Sequence, residues 1–257
     1  MDLRLAFNED VKQYDKYRPA YPTELHQEII AYAGLRRGGR VLEIGCGTGQ
    51  ATLPFLDAGC HVTAVELGNR LAAFAQNKFS KYQNFHLIQS DFLTCELAAQ
   101  AYDLVYSATA FHWIPKSEGY CKIKSLLKPR GAVALFWNHP YVNRLDDASN
   151  RANRRIYEKY RPYDDPPAEF SEMDCQNRLE ELRQYGFVDR AAKLYRRTRT
   201  LSSDAYIGLL NTYSDHRALP KQIRPAFETD MKQAIDRAGG TIHIYDTIDL
   251  YLAAKPM

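Results

Sequence analysis

Between Val41 and Gln50 a short apolar run, VLEIG, passes into GCGTG, so three glycines, Gly45, Gly47 and Gly49, stand within five positions. This is the stretch that most constrains the fold. A chain that leaves a strand and needs glycine at alternate positions either makes a bare turn or brings its backbone close to a ligand. The following ATLPFLDAG has the composition of a short helix closed by Gly59. The loop is therefore expected to open that helix, whose first amides and dipole favour an anionic group. HVTAVEL from His61 reads as a second strand, and Asn69 to Phe79 carries Leu71, Phe74, Ala75 and Phe79 at helical spacing. Two βα units in succession predict a parallel sheet.

Further strands are expected at Phe85 to Gln89, Tyr102 to Ser107 and Ala132 to Trp137, with a helix from Lys116 to Leu127 before the last. Five strands in this alternation favour a doubly wound sheet. Arg190 to Arg199 and Thr241 to Ala253 read as two longer strands that would form an antiparallel hairpin on the sheet edge. The whole predicts seven strands, mostly parallel, with helices on both faces. The core would span about 22–140, 176–200 and 241–257, in a single domain over 1–257. Segments of about 141–175 and 201–240 break the alternation and are expected to form a helical cap, and about 1–21 a lid. Insertions at the ends of a parallel sheet commonly supply a substrate pocket.

Bulk properties narrow the setting more than the activity. The net charge of +3 over 34 basic and 31 acidic residues does not by itself point to nucleic acid or a membrane surface. The five cysteines have no CxxC spacing, so no disulfide framework or zinc site is predicted and a reducing, cytoplasmic setting fits. MDLRLAFNEDVKQYDKYRP lacks the apolar core of a secretory signal, and no run approaches the roughly 20 apolar residues of a membrane span.

Glu66 closes the second strand, 21 positions beyond Gly45 (66 minus 45), where an acidic side chain can hold the hydroxyls of a ribose. A solvated surface glutamate is the competing reading, and the apolar residues before it disfavour that. A dinucleotide fingerprint would need glycine or alanine at position 50, which is Gln50. Glu43, ahead of the loop, also suits a sulfonium and an amino group better than a pyrophosphate, because like charges repel.

VLEIGCGTGQAT resembles motif I of class I S-adenosylmethionine-dependent methyltransferases, and the likeness extends over about Tyr14 to Trp137. It implies a Rossmann-like fold and S-adenosylmethionine as the methyl donor, with no metal required. DKYRPAYP and AFHWIP are similar to segments of the type 11 small-molecule group. The resemblance puts Glu43, Gly45, Cys46, Gly47, Thr48 and Gly49 against the cofactor. Glu66 and Leu67 would follow the second strand, with Glu66 on the ribose. Asp91 would contact the adenine amino group, Phe92 would lie beside the ring, and Ser107 would complete the site from the fourth strand.

Methyl transfer is an in-line displacement, so much of its rate can come from positioning. A carboxylate acceptor needs no base, whereas a hydroxyl or thiol gains from one. His112 is the candidate base, against local packing or hydrogen bonding, and Trp113 a candidate apolar wall, against ordinary core packing. Tyr14 and Arg18 are candidates for the sulfonium and a carboxylate, and Tyr17 and Tyr141 for the acceptor. A solvated helix start is the competing role for Tyr14, Tyr17 and Arg18. Tyr141, Tyr157, Tyr160, Tyr163 and Tyr213 cluster in the cap and are candidates to line a pocket for a flat or apolar acceptor, against aromatic packing, the simpler role. The expected partner is a small-molecule acceptor. RANRR at Arg151 and YRRTR at Tyr195 hint at nucleic acid, against the commoner role of a solvated helix face or strand edge. The fold would also permit a dinucleotide oxidoreductase or a non-catalytic binding module. Acceptor and oligomeric state are not encoded legibly.

Overall fold

The computed structural model describes residue 8, residues 10–162 and residues 167–257, so Tyr163 and residues 1–7 and 9 of the expected lid lie outside the described residues. Seven strands form one sheet: β1 Arg40–Ile44, β2 His61–Glu66, β3 Phe85–Gln89, β4 Tyr102–Ala108, β5 Leu127–Tyr141, β6 Val188–Ser202 and β7 Thr241–Ala254. Their order is β3-β2-β1-β4-β5-β7-β6. Only β7 runs against its neighbours, pairing antiparallel with β5 and with β6. The chain's last strand therefore lies inside the sheet and β6 forms the edge, which its exposed outer half reflects. Ile248 to Ala253 are buried without interruption, the pattern of a strand covered on both faces.

Alternation along the strands divides the core in two. Val41, Leu104, Tyr106, Ala134, Phe136 and Leu250 face α2 Thr23–Tyr32 and α3 Leu53–Asp57 through Leu25, Ile29 and Phe55. Leu42, Ile44, Val105, Val133, Leu135 and Tyr251 point the other way, onto Tyr120 and Ile123 of α5 Lys116–Leu126 and Leu182 of α7 Cys175–Gln184. β5 is longer than its apolar stretch suggested. Its pairing with β7 continues to Tyr141 opposite Tyr245, whereas its pairing with β4 stops at Phe136, so Pro140 falls where one side of β5 has no strand to serve.

The extended ends of β6 and β7 carry a third apolar cluster. Tyr157 of α6 Ala148–Tyr160, Tyr206 and Leu209 of α8 Ser203–Leu210, and Phe227, Met231 and Ile235 of α10 Arg224–Arg237 close around Ile242 and Ile244. Tyr157 and Tyr160 pack there, edge-on to Phe227. Two short helices, α1 Val11–Tyr17 and α9 Ser214–Arg217, border this cluster through Tyr17 and, just ahead of α9, Tyr213.

The basic stretches are largely committed to internal partners. Arg197 and Arg199, two apart and so on one face of β6, both donate to the buried carboxylate of Asp246, with Arg199 Nε at 2.5 Å and Arg197 Nε at 2.9 Å. On α6, Arg154 pairs with Glu158 at 2.7 Å and Arg151 donates to the Leu145 carbonyl. Among the described residues no helix is long and apolar enough to cross a membrane, and no group of three or more His, Cys, Asp or Glu could hold a metal ion.

Candidate active site

The strand order reverses between β1 and β4, and a cavity of about 330 Å³ opens at the carboxyl ends of the strands there. That is where open α/β sheets take ligands. Gly45 explains why glycine is needed at this switch point. Its φ is +69°, and a Cβ on it would meet the Ala110 methyl, from the loop after β4, at 2.6 Å. The two loops approach that closely only with no side chain between them.

Beyond the glycine loop the helix starts later than expected. Residues 47–52 are turns, and α3, five residues long, begins only at Leu53. The Gly47 amide is already engaged, donating to Glu66 Oε2 at 2.8 Å, while Gly68 N donates to Glu66 Oε1 at 2.8 Å. Glu66 thus clamps the loops after β1 and β2 together. Burial raises its pKa, opposed by these backbone hydrogen bonds.

Of the residues singled out from the sequence, Tyr14, Arg18, Glu43, Gly45, Cys46 and Gly47 line the cavity. So do Glu66, Leu67, Asp91, Phe92, His112 and Trp113. Glu43 is 1 % exposed, accepts from Thr52 Oγ1 at 2.6 Å, and has its pKa pushed up to about 7 by burial. Asp91 accepts from the Leu93 amide at 2.8 Å, which fixes its carboxylate beside Phe92.

Five other residues are not part of the wall, each for a visible reason. Gly49, at φ +85°, lies under Phe79: a Cβ there would fall 2.2 Å from the ring, so this glycine serves packing. Thr48 is buried, and its hydroxyl accepts from Gln50 Nε2. Ser107 donates across to the Ile44 carbonyl at 2.9 Å, tying β4 to β1. Tyr17 presses its ring onto Gly208 of α8, in the cap cluster. Tyr141 borders a separate hollow with His139 and Phe170.

His112 does reach the cavity, on the short turn Phe111–Trp113, but not as an open base. Its Nδ1 accepts the indole N–H of Trp137 at 3.0 Å. Burial and the nearby positive charge of Arg178 hold its pKa below the usual histidine value.

Apart from Tyr213, named among the cap tyrosines, the further wall residues described next were not singled out from the sequence. Tyr21 bonds Thr109 through their hydroxyls at 2.6 Å, and Thr109 holds φ +52°, an uncommon conformation for a β-branched residue. Asn138 gives its amide N–H to Asp246 at 3.1 Å, while its buried Oδ1 has no hydrogen-bond partner. Tyr213, Ser214 and Asp215 close the cavity from the cap. Asp215 accepts from Arg161 at 2.9 Å and lies 3.1 Å from His216 Nδ1. The roof is joined by Arg18, which donates to the Thr212 carbonyl at 2.7 Å and lies 4.5 Å from the Tyr213 ring centroid. Asn138 and Pro140, near the end of β5, both reach the wall.

Residues 41–131 match the methyltransferase-domain family. An uncharacterized methyltransferase of Schizosaccharomyces pombe is 23 % identical over 237 residues, covering 90 % of this chain and 87 % of its own. Other curated relatives are matched over about half of their length or less. Among solved structures, a putative type II methyltransferase from Anaeromyxobacter dehalogenans superposes with a TM-score of 0.67 at 21 % identity, over 93 % of this chain and 98 % of that one. Phosphoethanolamine N-methyltransferase 2 of Haemonchus contortus, solved with phosphomonomethylethanolamine and S-adenosylhomocysteine, gives 0.57 at 16 %, over 97 % and 58 %.

Proposed function

We propose that this class I S-adenosylmethionine-dependent methyltransferase transfers its methyl group to a small molecule held in the outer part of the same cavity. The donor set fits the cofactor. Glu66 faces the cavity with lone pairs left for ribose hydroxyls, and Gly45, without a Cβ, lets the loop after β4 close against the glycine loop beside it. Asp91 and Phe92, adjacent on the wall, would take the adenine, and Glu43 would supply a carboxylate for the cationic end. When bound, S-adenosylmethionine supplies a methyl group on a positive sulfur that keeps the bonding electron pair as the methyl departs.

The chain's own residues supply enclosure and orientation. Tyr14 covers the glycine loop, its ring 3.5 Å from where a Cβ on Gly47 would stand. Arg18 links this lid to the cap, which excludes water and strengthens every polar contact inside. The acceptor would meet Thr109, Trp113, Asn138 and Tyr213. The observation that carries the small-molecule reading is this roof, since a cavity covered by Arg18 and Tyr213 admits a compact acceptor more readily than a folded surface. Nucleic acid loses its main motivation, because Arg197 and Arg199 are spent on Asp246. A reducing, cytoplasmic setting accords with five unpaired cysteines, four of them buried.

Transfer of label from radioactive S-adenosylmethionine into a cell extract, fractionated afterwards, tests the acceptor class. Label in the small-molecule fraction is expected, and label confined to protein or nucleic acid would overturn this reading.

A further inference from the structure

An indole nitrogen can only donate a hydrogen bond. The 3.0 Å contact between Trp137 Nε1 and His112 Nδ1 therefore has one polarity: the indole gives its proton, and Nδ1 receives it with its ring lone pair. A neutral imidazole whose Nδ1 is bare carries its own proton on Nε2. Trp137 is firmly held for this task. It is 7 % exposed, lies edge-on to Tyr251, and its backbone N–H donates to Asp249 Oδ1 at 2.9 Å. The guanidinium of Arg178 sits 4.5 Å from its ring centroid. Trp137 is not part of the cavity wall and His112 is, so the bond occupies the inner Nδ1 edge of the imidazole.

We propose that Trp137 locks His112 in its neutral Nε2–H tautomer, so that His112 donates a hydrogen bond to an oxygen of the methyl acceptor and takes no proton from it. The acceptor then carries a carbonyl or carboxylate oxygen at that point, and Trp137 is a positioning residue acting through His112. The acceptor part rests on the small-molecule reading above; the lock does not. For His112 to act as a base at Nδ1 it would have to break the indole bond, and Nε2 already carries a proton. Protonation would turn an Nδ1–H against the indole N–H, two donors facing each other. Arg178 opposes a positive ring as well. It is the charged side chain facing His112 from α7, held by Glu181 at 2.5 Å, and Trp113 is the ring beside His112 on its own turn.

The lock can be read without a substrate from long-range proton–nitrogen correlations of ¹⁵N-labelled protein at about pH 7. The expected signature is a bare Nδ1 and a protonated Nε2 on His112, giving way in Trp137→Phe to mixed tautomers and a ring that titrates closer to ordinary histidine. A protonated Nδ1 in the wild type, or a signature unmoved in Trp137→Phe, would overturn the lock. For the donor role, Gln offers an amide N–H near the Nε2 position and Leu does not. With the acceptor found by label transfer, H112Q should turn over at least roughly tenfold faster than H112L, at equal affinity for S-adenosylhomocysteine. Equal loss in both, or a rising limb of the wild-type pH profile that vanishes in H112Q, would show that donation is not the role. A wild type that shows the tautomer signature yet labels no small molecule would overturn the acceptor assignment while the lock stands.

Discussion

Glu43 allows a prediction whose size can be worked out. Its carboxyl is buried beneath the glycine loop with Thr52 as its hydrogen-bond donor, and burial moves its pKa from 4.5 to about 7. Between those values the folded chain holds a proton there that the unfolded chain has lost, so stability falls as pH rises through the window and levels off above about 7. At 1.36 kcal/mol per pH unit the ionised form costs about 3 kcal/mol relative to the protonated one. Glu43→Gln keeps an oxygen for Thr52 and removes the titration. The variant should match the wild type near pH 5 and exceed it by about 2–3 kcal/mol near pH 8. Urea denaturation of both proteins across this range reads the difference directly, and groups with no electrostatic coupling to Glu43, such as His26, cancel in the comparison. A difference that stays constant from about pH 5 to pH 8 would refute the reasoning, because it would mean that Glu43 is ionised throughout.

Three further outcomes follow from the packing. Gly49→Ala drives a methyl group into the Phe79 ring at a left-handed φ and should cost about 2–4 kcal/mol, seen as a lowered denaturation midpoint. Asp246→Ala leaves the partly buried Arg197 and Arg199 without their shared carboxylate and should cost about 1.5–3 kcal/mol by the same assay. Ser107→Ala removes only the bond to the Ile44 carbonyl, so a calorimetric titration should show affinity for S-adenosylhomocysteine within about twofold of wild type alongside a loss of about 1 kcal/mol in stability.

The parallel strands were legible because central strands are buried on both faces, and short runs such as VLEI and TAV, apolar but for the buried Glu43 and for Thr63, record that directly. β5 was read short because Lys128 to Arg130 and Pro140 look like ends, whereas pairing with the antiparallel β7 carries the strand through Pro140 to Tyr141. Cavity residues attached to a chain signal, the acid ending β2 and the glycines ending β1, could be found by spacing. Tyr21, Thr109, Asn138 and Asp215 come from four separate elements and share nothing before the chain folds. Gly49, Thr48 and Ser107 show the opposite limit: a motif marks positions that are needed, but one glycine in it seats a phenylalanine rather than a ligand. His112 was legible as a wall residue, while its protonation is set by Trp137, 25 positions away.

The most direct test of the site is a calorimetric titration of the protein with S-adenosylhomocysteine, repeated on Glu66→Ala. One site per chain is expected, weakened roughly ten- to a hundredfold when the carboxylate is lost. Wild-type affinity in Glu66→Ala, or no binding by the unaltered protein, would contradict the placement of the cofactor in this cavity.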